Sequence, residues 1–330
     1  MSILVTGGAG YIGSHMVWHL VDAGERVVVV DNLSTGFSWA VSPEATLVRG
    51  DCGDEALMMR LIAEQAVDAI IHFAGSIVVP ESVSDPLGYY FNNTVKSRAL
   101  IEAAVKARVR HFIFSSTAAV YGMPKAAPVA EDAELMPISP YGRSKLMTEM
   151  MLADTAVAHD FKYVALRYFN VAGADPAGRT GQSTRGATHL IKVACETALG
   201  KRAEITVYGT DYPTADGTCM RDYIHVSDLV AAHAEALAFL RAGNVSLVAN
   251  CGYGHGFSVL EVIDTVKRVS GRDFRVIVGD RRPGDPAAVV ASPARIQERL
   301  GWRPRYADLD TIVDSALRWE KALAHRNQMD

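Results

Sequence analysis

The chain has 330 residues, 49% of them apolar and 21% charged, with a formal net charge of −4 at neutral pH. That length gives one large domain or two smaller ones with ample core. The mildly negative balance leaves no electrostatic footprint for nucleic acid. The longest apolar runs, Val27–Val30 and Ala69–Ile71, are strand length and far below a membrane span.

The first predicted strand, Ile3–Thr6, begins so early that no room is left for a signal peptide. A helix over Tyr11–Ala23 follows, then strands over Arg26–Val30 and Thr46–Val48 and a helix over Glu55–Gln65. Next come a strand over Ala69–Phe73, a helix over Leu87–Ala107, a strand over His111–Ser115, a helix over Pro140–Ala158 and a strand over Tyr163–Arg167. The strands are rich in Val and Ile and do not alternate, which suits a parallel sheet covered on both faces. The βαβ series predicts an α/β fold with a doubly wound parallel sheet of the Rossmann type. After about Asn170 the pattern loosens into loops (Gly173–Gly186, Gly209–Asp222, Gly279–Pro286) between short elements. We therefore expect an NAD-binding domain over residues 1–170. A smaller C-terminal α/β substrate-binding region over 171–330 would close over the carboxyl ends of the strands, with some interleaving of segments. Cys52, Cys195, Cys219 and Cys251 are far apart, with no CxxC and no metal-ligand spacing. They read as reduced structural thiols of a cytoplasmic protein.

Gly7, Gly10 and Gly13 follow the first strand and open the first helix, the context in which a Gly-rich turn binds a pyrophosphate. Gly7 permits the tight turn, Gly10 lets the backbone approach phosphate and Gly13 permits close helix packing. Tyr11 and Ile12 are assigned to the cofactor with the same turn. Asp31 ends the second strand about 20 residues on, with Asn32 beside it; a carboxylate there suits a ribose diol and repels a 2′-phosphate. No Arg follows in Asn32-Leu33-Ser34-Thr35-Gly36, which favours NAD over NADP. Asp51 and Cys52 end the third strand, where an adenine would lie, although a helix-capping or turn role serves Asp51 nearly as well. The small residues of Phe73-Ala74-Gly75 would let the cofactor backbone pass.

Strand five ends in Ser115-Ser116-Thr117, at the carboxyl edge where ligands bind in this architecture. Hydroxyls there can bond a substrate alcohol, or else serve the turn. Further on, Tyr141 and Lys145 are four residues apart in Ser139-Pro140-Tyr141-Gly142-Arg143-Ser144-Lys145, on one face of a helix. A cation so placed is expected to lower the phenol's pKa and make it a usable base. Beside a dinucleotide turn, that pair describes hydride chemistry on an alcohol.

These strings resemble the extended short-chain dehydrogenase/reductases and, within that group, the UDP-glucose 4-epimerase family. The resemblance covers nearly the whole chain. It is carried further by Arg167-Tyr168-Phe169-Asn170, by Asp211-Tyr212-Pro213-Thr214 with Asp216-Gly217-Thr218, and by Arg221-Asp222-Tyr223-Ile224-His225-Val226. It implies a tightly held NAD and reversible inversion at C4 of a UDP-hexose in a homodimer. Tyr141 would be the base, Lys145 its tuning cation and nicotinamide-ribose ligand, and Thr117 a hydroxyl that assists proton transfer. Tyr168 and Phe169 would border the nicotinamide, with Asn92 and Ser115 on the cofactor side. Asn170, His189, Leu190, Arg221, Arg282 and Asp285 would surround the nucleotide. Two arginines in separate loops suit a diphosphate, Asp285 suits the uridine ribose, and Tyr208 can flank uracil, with Thr206 assigned to the substrate beside it. Val289 matches the position that borders the sugar pocket; with no large aromatic there, an N-acetylated sugar is expected to fit. The chain departs from the pattern at Ile77, where bacterial relatives often carry a Lys, and at His189, which replaces a frequent Asn.

Two other readings share some of these features. A sugar-nucleotide 4,6-dehydratase or C5-acting relative needs an acid and a base just after Thr117, where Ala118 and Ala119 stand instead. A non-catalytic NAD-sensing module could dispense with the Tyr–Lys pair.

Overall fold

The computed structural model describes residues 1–282 and 284–326. The first half runs β1 (Ser2–Thr6), α1 (Tyr11–Asp22), β2 (Val27–Asp31), β3 (Thr46–Arg49), α2 (Glu55–Glu64), β4 (Val67–His72), α3 (Val79–Ser84), α4 (Pro86–Tyr89), α5 (Lys96–Lys106), β5 (His111–Thr117), α6 (Pro140–Ala158) and β6 (Lys162–Tyr168). The second half continues with β7 (Asn170–Ala172), α7 (Leu190–Ala198), β8 (Glu204–Tyr208), β9 (Met220–Arg221), β10 (Tyr223–His225), α8 (Val226–Arg241), β11 (Leu247–Cys251), β12 (Phe257–Ser258), α9 (Val259–Ser270), β13 (Arg275–Gly279), β14 (Ala288–Val289), α10 (Ala294–Leu300) and α11 (Leu309–Arg326).

Seven strands form one parallel sheet in the order β11-β6-β5-β4-β1-β2-β3. Every residue of β1 and β2 is buried, because both faces are covered. Ile3, Val5, Val29 and Ile113 pack on one face with Met16 and Leu20 of α1 and Leu229 and Leu237 of α8. Leu4, Val28, Ile70 and Phe112 pack on the other with Met58 of α2, Leu100 of α5 and Leu152 of α6. This double burial is why the strands read as continuous apolar runs. The strand order reverses between β1 and β4, so the crevice outside their carboxyl ends is the switch point at which such sheets bind ligands.

Two local features add to the sequence reading. The single helix expected over Leu87–Ala107 is built in three parts, α4, a π-helical stretch over Tyr90–Val95, and α5. Such stretches often occur at functional sites, and this one turns Asn92 and Asn93 toward the switch point. The second is connectivity. After residue 170 the chain returns to the large sheet to add β11, with α8 packed beneath it. Helix α10 joins the same core through Ile296 and Leu300. Helices α7, α9 and α11 form a separate core on the parallel pair β8–β13. Helix α9 is set by a capping box, Ser258 with Glu261, and is closed by left-handed Gly271. Pro283 and residues 327–330 of the expected second region lie outside the described residues.

Candidate active site

The dinucleotide turn has the geometry its glycines require. Gly7 has a left-handed φ of 72°, and a Cβ there would sit 2.6 Å from the backbone nitrogen of Ala74. A Cβ on Gly13 would fall 2.1 Å from the Gly7 carbonyl oxygen, so α1 rests on the turn itself. Gly10 is the N-cap of α1 and supplies no side-chain partner to the helix's first N–H groups, which suits an anion. At the end of β2, Asp31 accepts the backbone N–H groups of Ala9 (2.9 Å) and Leu33 (2.8 Å). Those bonds fix the carboxylate against the turn. Asp51 accepts Gly53 N–H at 2.8 Å and the Lys96 ammonium at 2.6 Å. Burial pushes its pKa up, but the hydrogen bonds from Lys96 and Gly53 outweigh that and hold it below the usual carboxylate range. The neighbouring Cys52 thiol is pushed up to about 12, first by burial and then by the Asp51 charge, so it is an inert packing thiol.

One cavity of about 690 Å³ runs from this turn across the strand ends to the second region, a size suited to large ligands. Gly7, Gly10, Tyr11, Ile12 and Gly13 line one end, with Asp31, Asn32, Asp51 and Cys52. Phe73, Ala74, Gly75 and Asn92 line the middle, followed by Thr117, Tyr141, Tyr168 and Phe169. Asn170, His189, Arg221, Asp285 and Val289 line the far end. Six expected site residues lie outside this lining. Ser115 is buried behind it, bonded at 2.6 Å to the Tyr168 hydroxyl, so its side chain meets Tyr168 rather than the cavity. Lys145 lies behind Tyr141 and Gly75, its ammonium 4.7 Å from the centre of the Phe114 ring. Leu190 begins α7 just past the lining, and Thr206 lies on β8 away from it. Tyr208 and Arg282 stack on each other at 3.8 Å, also outside the lining.

Helix α6 carries the expected base and its cation. Ser139 caps it by accepting Gly142 N–H at 3.2 Å, and Pro140 occupies its first turn. The start is therefore fixed one residue before Tyr141. Tyr141 is 7% exposed and Lys145 4%. Burial lowers the Lys145 pKa to about 8, against the raising influence of Glu149 one turn further on. The expected depression of the Tyr141 phenol is not found. Burial raises its pKa, and the opposing influence is the Thr117 hydroxyl rather than Lys145. Desolvation is the stronger effect because both groups are buried. Thr117 itself does two jobs, since its hydroxyl also accepts Ala119 N–H at 3.1 Å and so caps the 3₁₀ turn Ala118–Tyr121.

Below these groups lies a buried ionic cluster that the sequence did not reveal. Glu149 receives Arg167 Nε at 3.0 and 3.2 Å and Nη2 at 2.6 Å, and the Ser116 hydroxyl also donates to it. Arg167 Nη1 donates to the Tyr121 hydroxyl at 3.0 Å. The cluster ties α6, the end of β5 and the end of β6 together directly beneath Thr117 and Tyr141. Removing one partner of such a pair costs about 3–5 kcal/mol.

At the far end, Arg221 and Asp285 are paired at 3.0 Å, and Arg221 Nη1 also donates to the carbonyl oxygens of Met220 and Pro286. The two residues expected to bind separate parts of a nucleotide thus hold each other in place. Gln182 Nε2 and His189 Nδ1 are 2.8 Å apart, and burial lowers the His189 pKa.

Several residues near the cavity carried no sequence assignment. Asn93, one place beyond the expected Asn92, is buried; its Oδ1 accepts Ser76 N–H at 2.7 Å and its Nδ2 donates to Ser144 Oγ at 3.1 Å. It links the end of β4 to α6. Lys96, Ser76, Gln182 and residues 184–188 also contact the cavity. The only signal for the last group was a polar Gly- and Thr-rich loop, which does not reveal which side chains face inward. Among the described residues, no group of three or more His, Cys, Asp or Glu side chains is arranged to hold a metal ion. No described helix is long and apolar enough to cross a membrane.

A buried Tyr–Lys helix beside a dinucleotide turn on a doubly wound sheet defines an NAD-dependent enzyme that acts on a hydroxyl group. Residues 3–252 match the NAD dependent epimerase/dehydratase family, and the chain belongs to it. It is 57% identical over 321 residues to a UDP-glucose 4-epimerase of Azospirillum brasilense, across 97% of this chain and 92% of that one. The structure superposes on UDP-glucose 4-epimerase from Brucella ovis in complex with NAD, with a TM-score of 0.94 and 46% identity over 96% of this chain and 97% of that one. It also superposes on the UDP-Glc/GlcNAc 4-epimerase from Campylobacter jejuni, with a TM-score of 0.86 and 47% identity over 97% and 99% of the two chains.

Proposed function

We propose that the protein interconverts UDP-glucose and UDP-galactose by inverting C4 of the sugar. One observation carries the reading: Tyr141 and Thr117 face the middle of a cavity whose ends hold the dinucleotide turn and the Arg221–Asp285 pair. NAD, held by the turn of Gly7–Gly13 and by Asp31, would supply the acceptor for the C4 hydride and the donor for its return. Tyr141 takes the proton of the 4-hydroxyl and later gives it back. Thr117 lowers the cost of charge on the phenol through its hydroxyl. Lys145 adds positive charge behind the pair and orients the nicotinamide ribose. Arg221, with Arg282 beyond the lining, holds the diphosphate, and Asp285 the uridine ribose. Binding energy then resides in the UDP portion, leaving the 4-keto sugar free to turn. Ala118 and Ala119 line the cavity where C5 or C6 chemistry would need an acid and a base; their methyl groups cannot carry protons.

The test is incubation with a panel of UDP-sugars without added NAD, followed by separation of epimers. Formation of UDP-galactose from UDP-glucose is expected; NAD binding without turnover of any UDP-sugar would leave only a sensing role. The same experiment checks cofactor retention. A cycle that returns its hydride gains nothing by releasing the cofactor, and the closely packed turn and fixed Asp31 support tight binding. Purified protein is expected to carry NAD(H) and to work without supplement, even though Ile77 is 51% exposed at the cavity edge. A cofactor-free preparation that requires NADP⁺ would count against the assignment.

We also assign a homodimer. Leu87, Phe91 and Val95 are 78%, 58% and 50% exposed, and Met147, Met150 and Val157 of α6 are 41%, 59% and 90% exposed. An apolar arc spanning neighbouring helices is what a two-fold helical interface requires. Light scattering at micromolar concentration is expected to give twice the chain mass, and a monomer would exclude the assignment. All four cysteines are free and buried, which suits the reducing cytoplasm where we place the protein.

A further inference from the structure

The segment 178–189 reaches the cavity from the second region: Gln182 and residues 184–189 line it. Apart from an isolated bridge between Ala174 and Gly181, the segment belongs to no sheet or helix. Its start is held by α1, where Asp22 pairs with Arg179 at 2.8 Å and Ser14 bonds the Thr180 hydroxyl at 2.8 Å; the part that faces the cavity is held by α11, near the end of the described chain. Gly181 lies flat on the Trp319 indole, where an added Cβ would come within 2.3 Å of the ring. The indole Nε1 donates to the Ser183 hydroxyl at 3.3 Å. Arg326 donates to the carbonyl oxygens of Arg179 (2.9 Å) and Gly178 (3.1 Å). Lys192, on α7, donates to the Gln182 carbonyl oxygen at 3.0 Å and is held by the Glu320 carboxylate. Glu320 also receives the Lys201 ammonium at 2.5 Å. Glu320 and Lys192 are 2% and 6% exposed, so this anchor is desolvated.

We infer that α11 is a positioning element for the sugar-nucleotide end of the cavity: Glu320 through Lys192, and Trp319 through Ser183, fix where Gln182 and His189 stand. The inference rests on the proposed UDP-sugar reading. A buried ammonium needs a charged partner. With the Glu320 charge gone, the nearest remaining carboxylate to Lys192 is Glu196, at 3.6 Å on the same helix. Drawn to it, Lys192 leaves the Gln182 carbonyl, and the segment loses its hold beside the nucleotide. The dinucleotide turn and Asp31 keep their own contacts, so the cofactor end is unaffected.

The experiment compares the parent with Glu320→Gln and Ser183→Ala. It measures kcat and KM for UDP-glucose, the dissociation constant of UDP by calorimetry, and bound NAD. Glu320→Gln is expected to raise KM and the UDP dissociation constant about tenfold, the scale of one lost charge-assisted hydrogen bond. Ser183→Ala is expected to raise both roughly threefold, the scale of a neutral one. In both variants kcat stays within about twofold, because no group on the reacting atoms moves, and NAD content is unchanged. A fall in kcat at constant KM, the mark of a merely structural role, overturns the inference. If Glu320→Gln does not fold, Ser183→Ala decides: unchanged UDP affinity there also overturns it. A parent that binds UDP but turns over no UDP-sugar sinks the epimerase reading alone, and weaker UDP binding by the variants still supports the positioning role. A parent that binds no uridine nucleotide overturns both.

Discussion

Tyr141→Phe is expected to lose roughly 10²- to 10⁴-fold in kcat while retaining its NAD, the range for removal of a general acid–base group. The ring is 7% exposed and fixed by the capped start of α6, so phenylalanine fills the same space. Only the hydroxyl is lost, and with it the atom assigned to take and return the C4 proton. Steady-state kinetics with UDP-galactose, alongside a count of NAD released on denaturation, separates chemistry from binding. Near-normal turnover by this variant would refute the assigned base.

The two pKa directions beneath that prediction also set its pH dependence. Burial raises the Tyr141 phenol and lowers the Lys145 ammonium to about 8. Lys145 is therefore charged below about pH 8 and neutral above it. If its charge assists ionisation of the phenol, kcat falls as pH rises through that value. Lys145→Met removes this alkaline limb, lowers kcat throughout, and weakens cofactor retention. A variant that keeps the parent's limb would place the titration in some other group.

What could be read in advance followed from local rules. The Gly-rich turn and the Ser-Pro start of α6 follow from the backbone needs of their own residues, and the acid ending β2 from its spacing after the turn. Their chemistry therefore shows in the string itself. Less visible was whatever depends on distant partners. β11 joins β6 at the sheet edge across about 80 residues of chain, and no pattern in Leu247–Cys251 names its partner. The Arg221–Asp285 pair and the Glu149–Arg167 cluster are of the same kind: Arg221 and Asp285 were expected at the nucleotide, but nothing in the string shows that they pair with each other, or that Glu149 meets Arg167. Lys145 illustrates a third limit. Its spacing from Tyr141 was legible, but the extent of burial was not, and burial decides the direction in which both groups shift. The helix over Leu87–Ala107 was placed correctly in outline, whereas its π-helical stretch, which sets Asn92 and Asn93 beside Ser76, has no signature in residue periodicity.

The parent enzyme is expected to turn over UDP-N-acetylglucosamine as well as UDP-glucose, and Val289→Tyr to remove most of the first activity while sparing the second. Val289 lies on β14, in register with Arg221 of β9, and lines the cavity. Its carbonyl oxygen accepts Asp222 N–H at 3.2 Å, a backbone bond that any side chain preserves. The variant therefore tests side-chain volume. With the sugar set beside Val289 as proposed, valine would leave room for a C2 acetamido group, whereas a tyrosine ring would fill that room. A steric clash discriminates strongly, while an unfilled pocket costs the smaller sugar little. On that basis kcat/KM for the acetamido sugar is expected to fall on the order of 10²-fold in the variant, with UDP-glucose changed only a few-fold. A parent with no activity on the acetamido sugar would mean that other side chains close the space. Equal loss of both activities in Val289→Tyr would mean that the residue supports the β14–β9 pairing and has no part in choosing the sugar.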